Sequence, residues 1–358
     1  MRKILLLLMI FFITPGCEYF TFMSKKEWAE KAGTEDDVII YLAGAFYDSA
    51  AANYLPCYWK ITKKSIEKVD LESNNSWGIA YSIFVVGDTV YTCGFDQNPP
   101  TVPIRACYWK NKNKYILEAK NPSNVDSQAR QIIAKNGVIF IAGIDDRDID
   151  SDYDAVNWIG QNSSGLSAGS ISQAQSIFIN QLSSTHHVMY IGGINDGQAC
   201  YWKDGQIFNL ENESAASSEV RSIYVSGNTV YSVGDLEYNL ACLWKNNNLI
   251  KLSGGTVANS VFVSGNDVYI AGQYEYSSDD YPCYWVNNTR YLIPGSSFGV
   301  GTNAYAYSIY VYNDNIYIAG VDDNGTDALA WYWTNNKKIF IDQPNYSGVL
   351  SIFVTADN

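Results

Sequence analysis

The sequence predicts an all-β fold, a seven-bladed β-propeller of four-stranded blades whose first blade is closed by the C-terminal strand. Three observations predict it. A tryptophan recurs at intervals of 41 to 50 residues, at Trp59, Trp109, Trp158, Trp202, Trp244, Trp285 and Trp333. Each interval holds four short β-like runs. The chain enters this repeat at a run of the second type, near Asp37, and leaves it on one of the first type, at Ser351. Periods of about 40 to 50 residues mark propeller blades, and a last strand that completes the first blade removes the open sheet edges.

Before the repeat, Arg2 and Lys3 precede an unbroken apolar run of ten residues, Ile4 to Ile13. That run is too short to span a bilayer, which needs about 20 residues, but it suits the apolar region of an export signal. Thr14, Pro15, Gly16 and Cys17 then resemble a bacterial lipobox, with Thr14 where such boxes usually place Leu. The expected organisation is a lipoprotein signal peptide at 1–16, a tether at 17–36 lipidated on Cys17, and a propeller at 37–358. Within the tether, SKKEWAEKAG carries a capping-box pattern, Ser24 with Glu27, and a stop at Gly33, which predicts a short spacer helix. The expected address is the bacterial cell envelope, with the membrane reached through the lipid anchor alone.

Within the repeat, the first run reads SIFV, QIIA, SIFI, SIYV, SVFV, SIYV and SIFV, starting at Ser82, Gln131, Ser176, Ser222, Ser260, Ser308 and Ser351. The second reads DVIIYLAG, DTVYTCG, GVIFIAG, HVMYIGG, NTVYSVG, NDVYIAG and DNIYIAG. The third is a Cys-aromatic-Trp-Lys patch, as in ACYWK at 106–110 and 199–203, and the fourth a short apolar piece such as QIFNL. Gaps between radiating blades widen outward, so the Ala-Gly ends of the second runs suit the inner part and Tyr and Trp the periphery. On this reading Cys57, Cys107, Cys200, Cys242 and Cys283 sit one per blade as buried small hydrophobes. Trp331 is expected in the same slot of the last blade, and Asn157 in that of the third. Stacked sheets lie about 10 Å apart, beyond the roughly 7 Å reach of a disulfide. The patch therefore reads as architecture, not as a disulfide framework or metal cluster.

The CYWK run with its SIxV and DVYIAG strands resembles a bacterial family of propeller-repeat lipoproteins whose blades read roughly ACYWKNG. The resemblance covers the whole region after the tether and implies the propeller fold and an envelope lipoprotein; it implies little about function. The glycine doublet in VMYIGG, Val188 to Gly193, is distantly similar to a kelch blade.

Composition narrows the partners. The formal net charge is −13, and without Arg2 and Lys3 the balance is 37 acidic against 22 basic side chains, a net of −15. Nucleic-acid phosphates need clustered Lys and Arg, so nucleic acid and anionic lipid surfaces are excluded as expected partners. No G-x-S-x-G, HExxH, Walker or C-x-x-C motif is present. The two histidines, His186 and His187, are adjacent in a turn-like segment. The chain is therefore expected not to be an enzyme.

Loop lengths suggest where binding would occur. Connections from first to second and from third to fourth runs are short and rich in Gly, Asn and Asp, whereas the other two kinds read as long. Both long kinds emerge on one rim, and long loops on a rigid scaffold commonly carry binding. That face is expected to present aromatic residues including Trp77, Phe95, Tyr274 and Tyr276. The residues just before each inner run, Tyr81, Arg130, Gln175, Arg221, Asn259, Tyr307 and Leu350, are expected to ring the channel mouth. The ligand-binding candidates are Trp77, Tyr81, Arg130, Arg221, Tyr274, Tyr276 and Tyr307. Asp148, Asp150, Asp152 and Asp154 alternate in one loop, a density of oxygens that suits Ca2+, although the glycine that makes the tight turn of an EF-hand loop is missing and such acidic runs also simply solvate loops. The leading functional expectation is a non-catalytic lipoprotein that takes a protein or glycan partner on the loop-rich face. The alternatives are a carbohydrate-active propeller enzyme and a structural envelope scaffold.

Overall fold

Runs such as SIFVV and TVYTCG are rich in β-branched and aromatic residues and are separated by Gly-Asp or Asn-Gly pairs, the pattern of strands joined by hairpins. The computed structural model describes residues 38–97, 102–119, 126–146, 153–166, 171–181, 186–341 and 347–357. Among these residues the runs form twenty-eight strands in seven four-stranded antiparallel sheets. Six sheets are simple meanders. In the first blade, Ser347–Ala356 is the inner strand and pairs with Val38–Asp48, followed by Asn53–Ile61 and Ile66–Asp70. The offset repeat thus closes the ring.

The other inner strands are Trp77–Val86, Ser127–Lys135, Ser172–Gln181, Ser218–Ser226, Val257–Ser264 and Asn303–Tyr312. One edge of an inner strand has no partner within its own sheet, and buried N–H groups there need acceptors. The first residue of each SIxV run supplies one. Ser351 Oγ accepts from the N–H of Ile83 at 3.3 Å, Ser82 from Ile132 at 3.4 Å, and Gln131 Oε1 from Ile177 at 2.6 Å. Ser176 then accepts from Ile223 at 3.0 Å, Ser222 from Val261, Ser260 from Ile309 and Ser308 from Ile352, each at 3.2 Å. Each acceptor serves the next blade, and Ile352 shares a strand with Ser351, so the circuit of seven bonds closes. Each bond contributes about 1 kcal/mol. That is why the run begins with Ser six times in seven and why Gln, another acceptor, can stand in.

The CYWKN patch is a cross-strand code. In blade 1, Cys57 lies opposite Gly44, Tyr58 opposite Ala43, Trp59 opposite Leu42 and Lys60 opposite Tyr41. The Lys ammonium sits over the ring of its Tyr partner: Lys60 on Tyr41 and Lys110 on Tyr91 at 5.9 Å, Lys203 on Tyr190 at 5.4 Å, Lys245 on Tyr231 at 5.8 Å. Such contacts stabilise by about 0.5–1 kcal/mol at exposed sites. In blades 2, 4 and 5 the residue after the lysine turns the hairpin at positive φ, and its side-chain oxygen caps the second strand; in blade 1 that residue is Ile61, which continues the strand. Asn111, Asn246 and Asp204 accept from the N–H groups of Val90, Val230 and Met189 at 3.0, 3.0 and 2.8 Å. The tryptophan joins neighbouring blades: its indole N–H donates to the main chain beyond the previous blade's outer strand, Trp109 to Glu72, Trp158 to Glu118 and Trp244 to Glu211.

The six cysteines among the described residues are buried and form no disulfide with each other, and burial pushes the Cys93, Cys107, Cys200, Cys242 and Cys283 thiols up. The cysteine slot holds Trp331 in the last blade, as expected, because Trp331 lies opposite Gly320. In the third blade it holds Val156, opposite Gly143, and not Asn157, which occupies the tyrosine position. The slot is a packing position, since Val has no ligating atom.

The connections between second and third strands are shorter than the sequence suggests. Blades 1, 4, 5, 6 and 7 join their second and third strands through connections of only two to four residues. Residues such as Asp196, Gly197, Ser277 and Ser278 adopt positive φ and allow the tight turn. Irregularity on that rim comes mainly from the links between blades, such as 293–302.

Candidate functional site

All seven inner strands carry a register shift where they pair with the second strand. It falls between Ala80 and Ser82, Ala129 and Gln131, Ala174 and Ser176, Val220 and Ser222, Ala258 and Ser260, and Ala306 and Ser308. In the first blade the residue skipped is Leu350. The skipped residues are therefore Tyr81, Arg130, Gln175, Arg221, Asn259, Tyr307 and Leu350, the ring expected at the channel. A β-bulge leaves one residue unpaired and re-aims its side chain. Repeated around the axis, it delivers seven side chains to one axial cavity of about 110 Å³.

The bulge also accounts for the repeated glycine. At Gly94 an added Cβ would overlap the carbonyl oxygen of Ile79 and approach its carbon at 2.9 Å and Ala80 Cα at 3.1 Å. Gly44, Gly143, Gly193, Gly234, Gly272 and Gly320 face main-chain carbonyls of Gly348, Gln128, Gln173, Glu219, Val257 and Tyr305 in the same way. The Ala-Gly ends are thus small because the bulge pushes a carbonyl into that space, in addition to the narrowing of the blade gap.

The ring is polar and internally ordered. Arg221 is held by two carboxylates: its Nε donates to Asp235 at 2.8 Å, and it pairs with Glu219. Burial raises the Glu219 pKa, with the Arg221 charge opposing the shift. Gln175 Nε2 donates to Gln173 at 3.1 Å, and Asn259 Nδ2 to Gln273 at 3.0 Å and the Ala306 carbonyl at 2.9 Å. The rings of Tyr305 and Tyr307 stack at 5.8 Å. The Arg130 guanidinium lies 4.8 Å from the centre of the Tyr81 ring, and the Tyr81 hydroxyl donates to Gln128 at 3.3 Å. Burial raises the Tyr81 and Tyr307 pKa, so both hydroxyls remain protonated donors at neutral pH.

Of the binding candidates, Tyr81, Arg130, Arg221 and Tyr307 come together in this cavity; Trp77, Tyr274 and Tyr276 do not line it. Trp77 begins the inner strand of blade 2 and is 38% exposed, edge-on to Phe95 at 4.9 Å. Phe95 itself is core, at 1% exposure, and so does not belong to the presented face. Tyr276 is 66% exposed and packs edge-on to Tyr281 at 6.2 Å. Tyr274 is stacked on Tyr281 at 5.5 Å and covered by Arg290 at 4.5 Å, so its ring is spent on packing. Asp148, Asp150 and Asp152 lie outside the described residues, as does Cys17. Asp154 is 6% exposed within the strand Tyr153–Ile159 and pairs with Asp145 across the sheet, not in an open loop. No group of three or more His, Cys, Asp or Glu that could hold a metal occurs among the described residues. His187 packs edge-on to Phe140 at 4.8 Å. No helix among the described residues is long and apolar enough to cross a membrane.

The bulges were legible only as the residues before each SIxV run, and their geometry needed the register. The Ser circuit was visible as the repeated Ser itself, a polar residue at a buried inner-strand position.

No known family profile matches the chain, and no curated protein does. Among solved structures, it is similar to YCF48 bound to D1 peptide, at 11% identity and a TM-score of 0.44, covering 79% of this chain and 86% of that one. It is also similar to a protein from Lactobacillus plantarum, at 9% identity and a TM-score of 0.47, covering 88% of this chain and 99% of that one.

Proposed function

We propose that this chain is a non-catalytic binding protein of the bacterial cell envelope, lipid-anchored through Cys17, which takes a protein or glycan partner on the face where the inner strands begin. One observation carries the binding reading: seven bulges aim seven side chains into a single axial cavity. A fold needs one bulge to bend a strand; a ring of them at the same level of every blade, lined by Arg, Gln, Asn and Tyr, makes a polar receptacle. Trp77 and Tyr276 add exposed aromatic surface, of the kind that anchors protein partners and sugars. The lipoprotein reading rests on the Arg2 to Cys17 pattern and on the resemblance of the CYWK blades.

Two experiments test it. A pulldown from intact bacterial cells, with glycan and peptide arrays in parallel, should capture a partner. The double variant Trp77→Ala, Tyr276→Ala should lose capture while its unfolding midpoint stays unchanged. Capture that survives this variant, or arrays and pulldown that both return nothing, would refute the surface. For the anchor, Cys17→Ser should release the protein into the soluble fraction; a variant still retained in detergent extracts would sink that part.

A further inference from the structure

The axial ring holds two arginines in opposite conditions. Arg221 is saturated by Glu219 and Asp235. Arg130, also delivered by a bulge, makes no ion pair among the described residues, and its Nε is buried without a hydrogen-bond partner. One face of its guanidinium is covered by Tyr81 at 4.8 Å. A buried N–H without an acceptor costs about 1–3 kcal/mol, more on a charged group, and native proteins seldom keep one without a purpose. A guanidinium clamped by an aromatic face, with its edge free, is pre-organised for a planar oxyanion.

We propose that Arg130 is the anchor of a subsite for a single carboxylate in the axial cavity. This deepens, and rests on, the reading of the cavity as a binding site. Charge favours a monoanion: Arg221 engages Glu219 and Asp235, the Arg130 charge also reaches Glu219, and the two arginines and two carboxylates sum to zero, so an added monoanion meets less repulsion than a dianion. Size agrees, because about 110 Å³ is room for roughly four waters at about 30 Å³ each, enough for a carboxylate and a short stem. The Tyr307 hydroxyl, a neutral donor, lines the same cavity. The carboxylate can come from a chain terminus or from an acidic side chain of the partner.

The probes separate these sources. N-acetylglycine carries a terminal carboxylate, N-acetylglutamate α-amide a side-chain one, N-acetylglycinamide none, and inorganic phosphate a dianion. Calorimetry on the purified chain should show at least one carboxylate probe binding with a Kd on the order of 1–10 mM, and the neutral amide not binding. Arg130→Ala should weaken that probe about 10-fold or more, the worth of a charge-assisted hydrogen bond. Arg130→Lys should retain charge but lose the fork, giving an intermediate loss. Equal binding of the amide, tighter binding of phosphate, no binding of either carboxylate, or an unchanged Kd in Arg130→Ala would each overturn the proposal. If Arg130→Ala fails to fold, Arg130→Gln serves: it removes the charge at similar length and should weaken the probe about 10-fold, and an unchanged Kd there overturns the proposal too. Partner capture that persists while both carboxylate probes fail would reject this subsite and leave the wider binding surface standing.

Discussion

Replacing Gly94 by Ala tests the coupling of glycine and bulge. The new Cβ would overlap the Ile79 carbonyl oxygen and stand 2.9 Å from its carbon and 3.1 Å from Ala80 Cα, where ordinary contact begins near 3.4 Å. These are main-chain atoms in the centre of a sheet, and no side chain can swing away to relieve them. Either the pair Trp77–Val86 and Thr89–Gln97 parts locally or the bulge at Tyr81 is lost. Overpacking of this kind costs about 3 kcal/mol, and in a domain of this size each kcal/mol moves the midpoint by about 2 °C, so the expected fall in Tm is about 5 °C or more. Gly348→Ala is the control: there a Cβ meets nothing within 4 Å, and the change should stay within about 0.5 kcal/mol. Thermal and urea unfolding, followed by tryptophan fluorescence, give both midpoints. Hydrogen exchange should show faster opening of Trp77–Val86 in Gly94→Ala alone. Matching midpoints for the two variants would refute the assignment of a steric role to the glycine.

Deleting Ser351 to Asn358 removes most of the strand that completes blade 1 and takes Ser351 and Ile352 out of the hydrogen-bonded circuit; aggregation or loss of cooperative unfolding is expected, and a soluble truncate melting like the parent would refute the closure. The blade cysteines are buried, so a thiol reagent should label them slowly in the folded protein and fully after denaturation, with no mass change on reduction; Cys107→Ala should cost about 1 kcal/mol. Alkaline pH should destabilise the fold. Burial raises Cys242, Tyr58 and Tyr310 to about 12, whereas unfolded thiols and phenols ionise near 8.5 and 10. The folded state holds these protons more tightly, so this stability is complete below about pH 8.5 and declines as pH climbs towards 12. Urea midpoints at pH 8, 9.5 and 11 should fall in that order; equal values would refute it.

Sequence alone determined the blade count, the strand roles and the closure, because each blade repeats one local solution and the tryptophan marks it. Ser at the head of SIxV, Lys beside Trp and Asn after Lys are all short-range requirements: an acceptor for a neighbour's N–H, a cation over a cross-strand Tyr, a cap for a hairpin. The residues of the channel ring were also legible, since they precede the same run seven times. Their convergence was not. Whether Arg130 or Arg221 keeps a free edge depends on Glu219 and Asp235, which reach Arg221 through the register of one blade and leave Arg130 in another. The tertiary structure likewise moved Phe95 into the core, turned Tyr274 into a packed ring under Arg290, and put Val156 in place of Asn157 in the cysteine slot. A repeat dictates what every blade shares; charge pairing and exposure at one position depend on which unlike residues the closed ring brings across the axis.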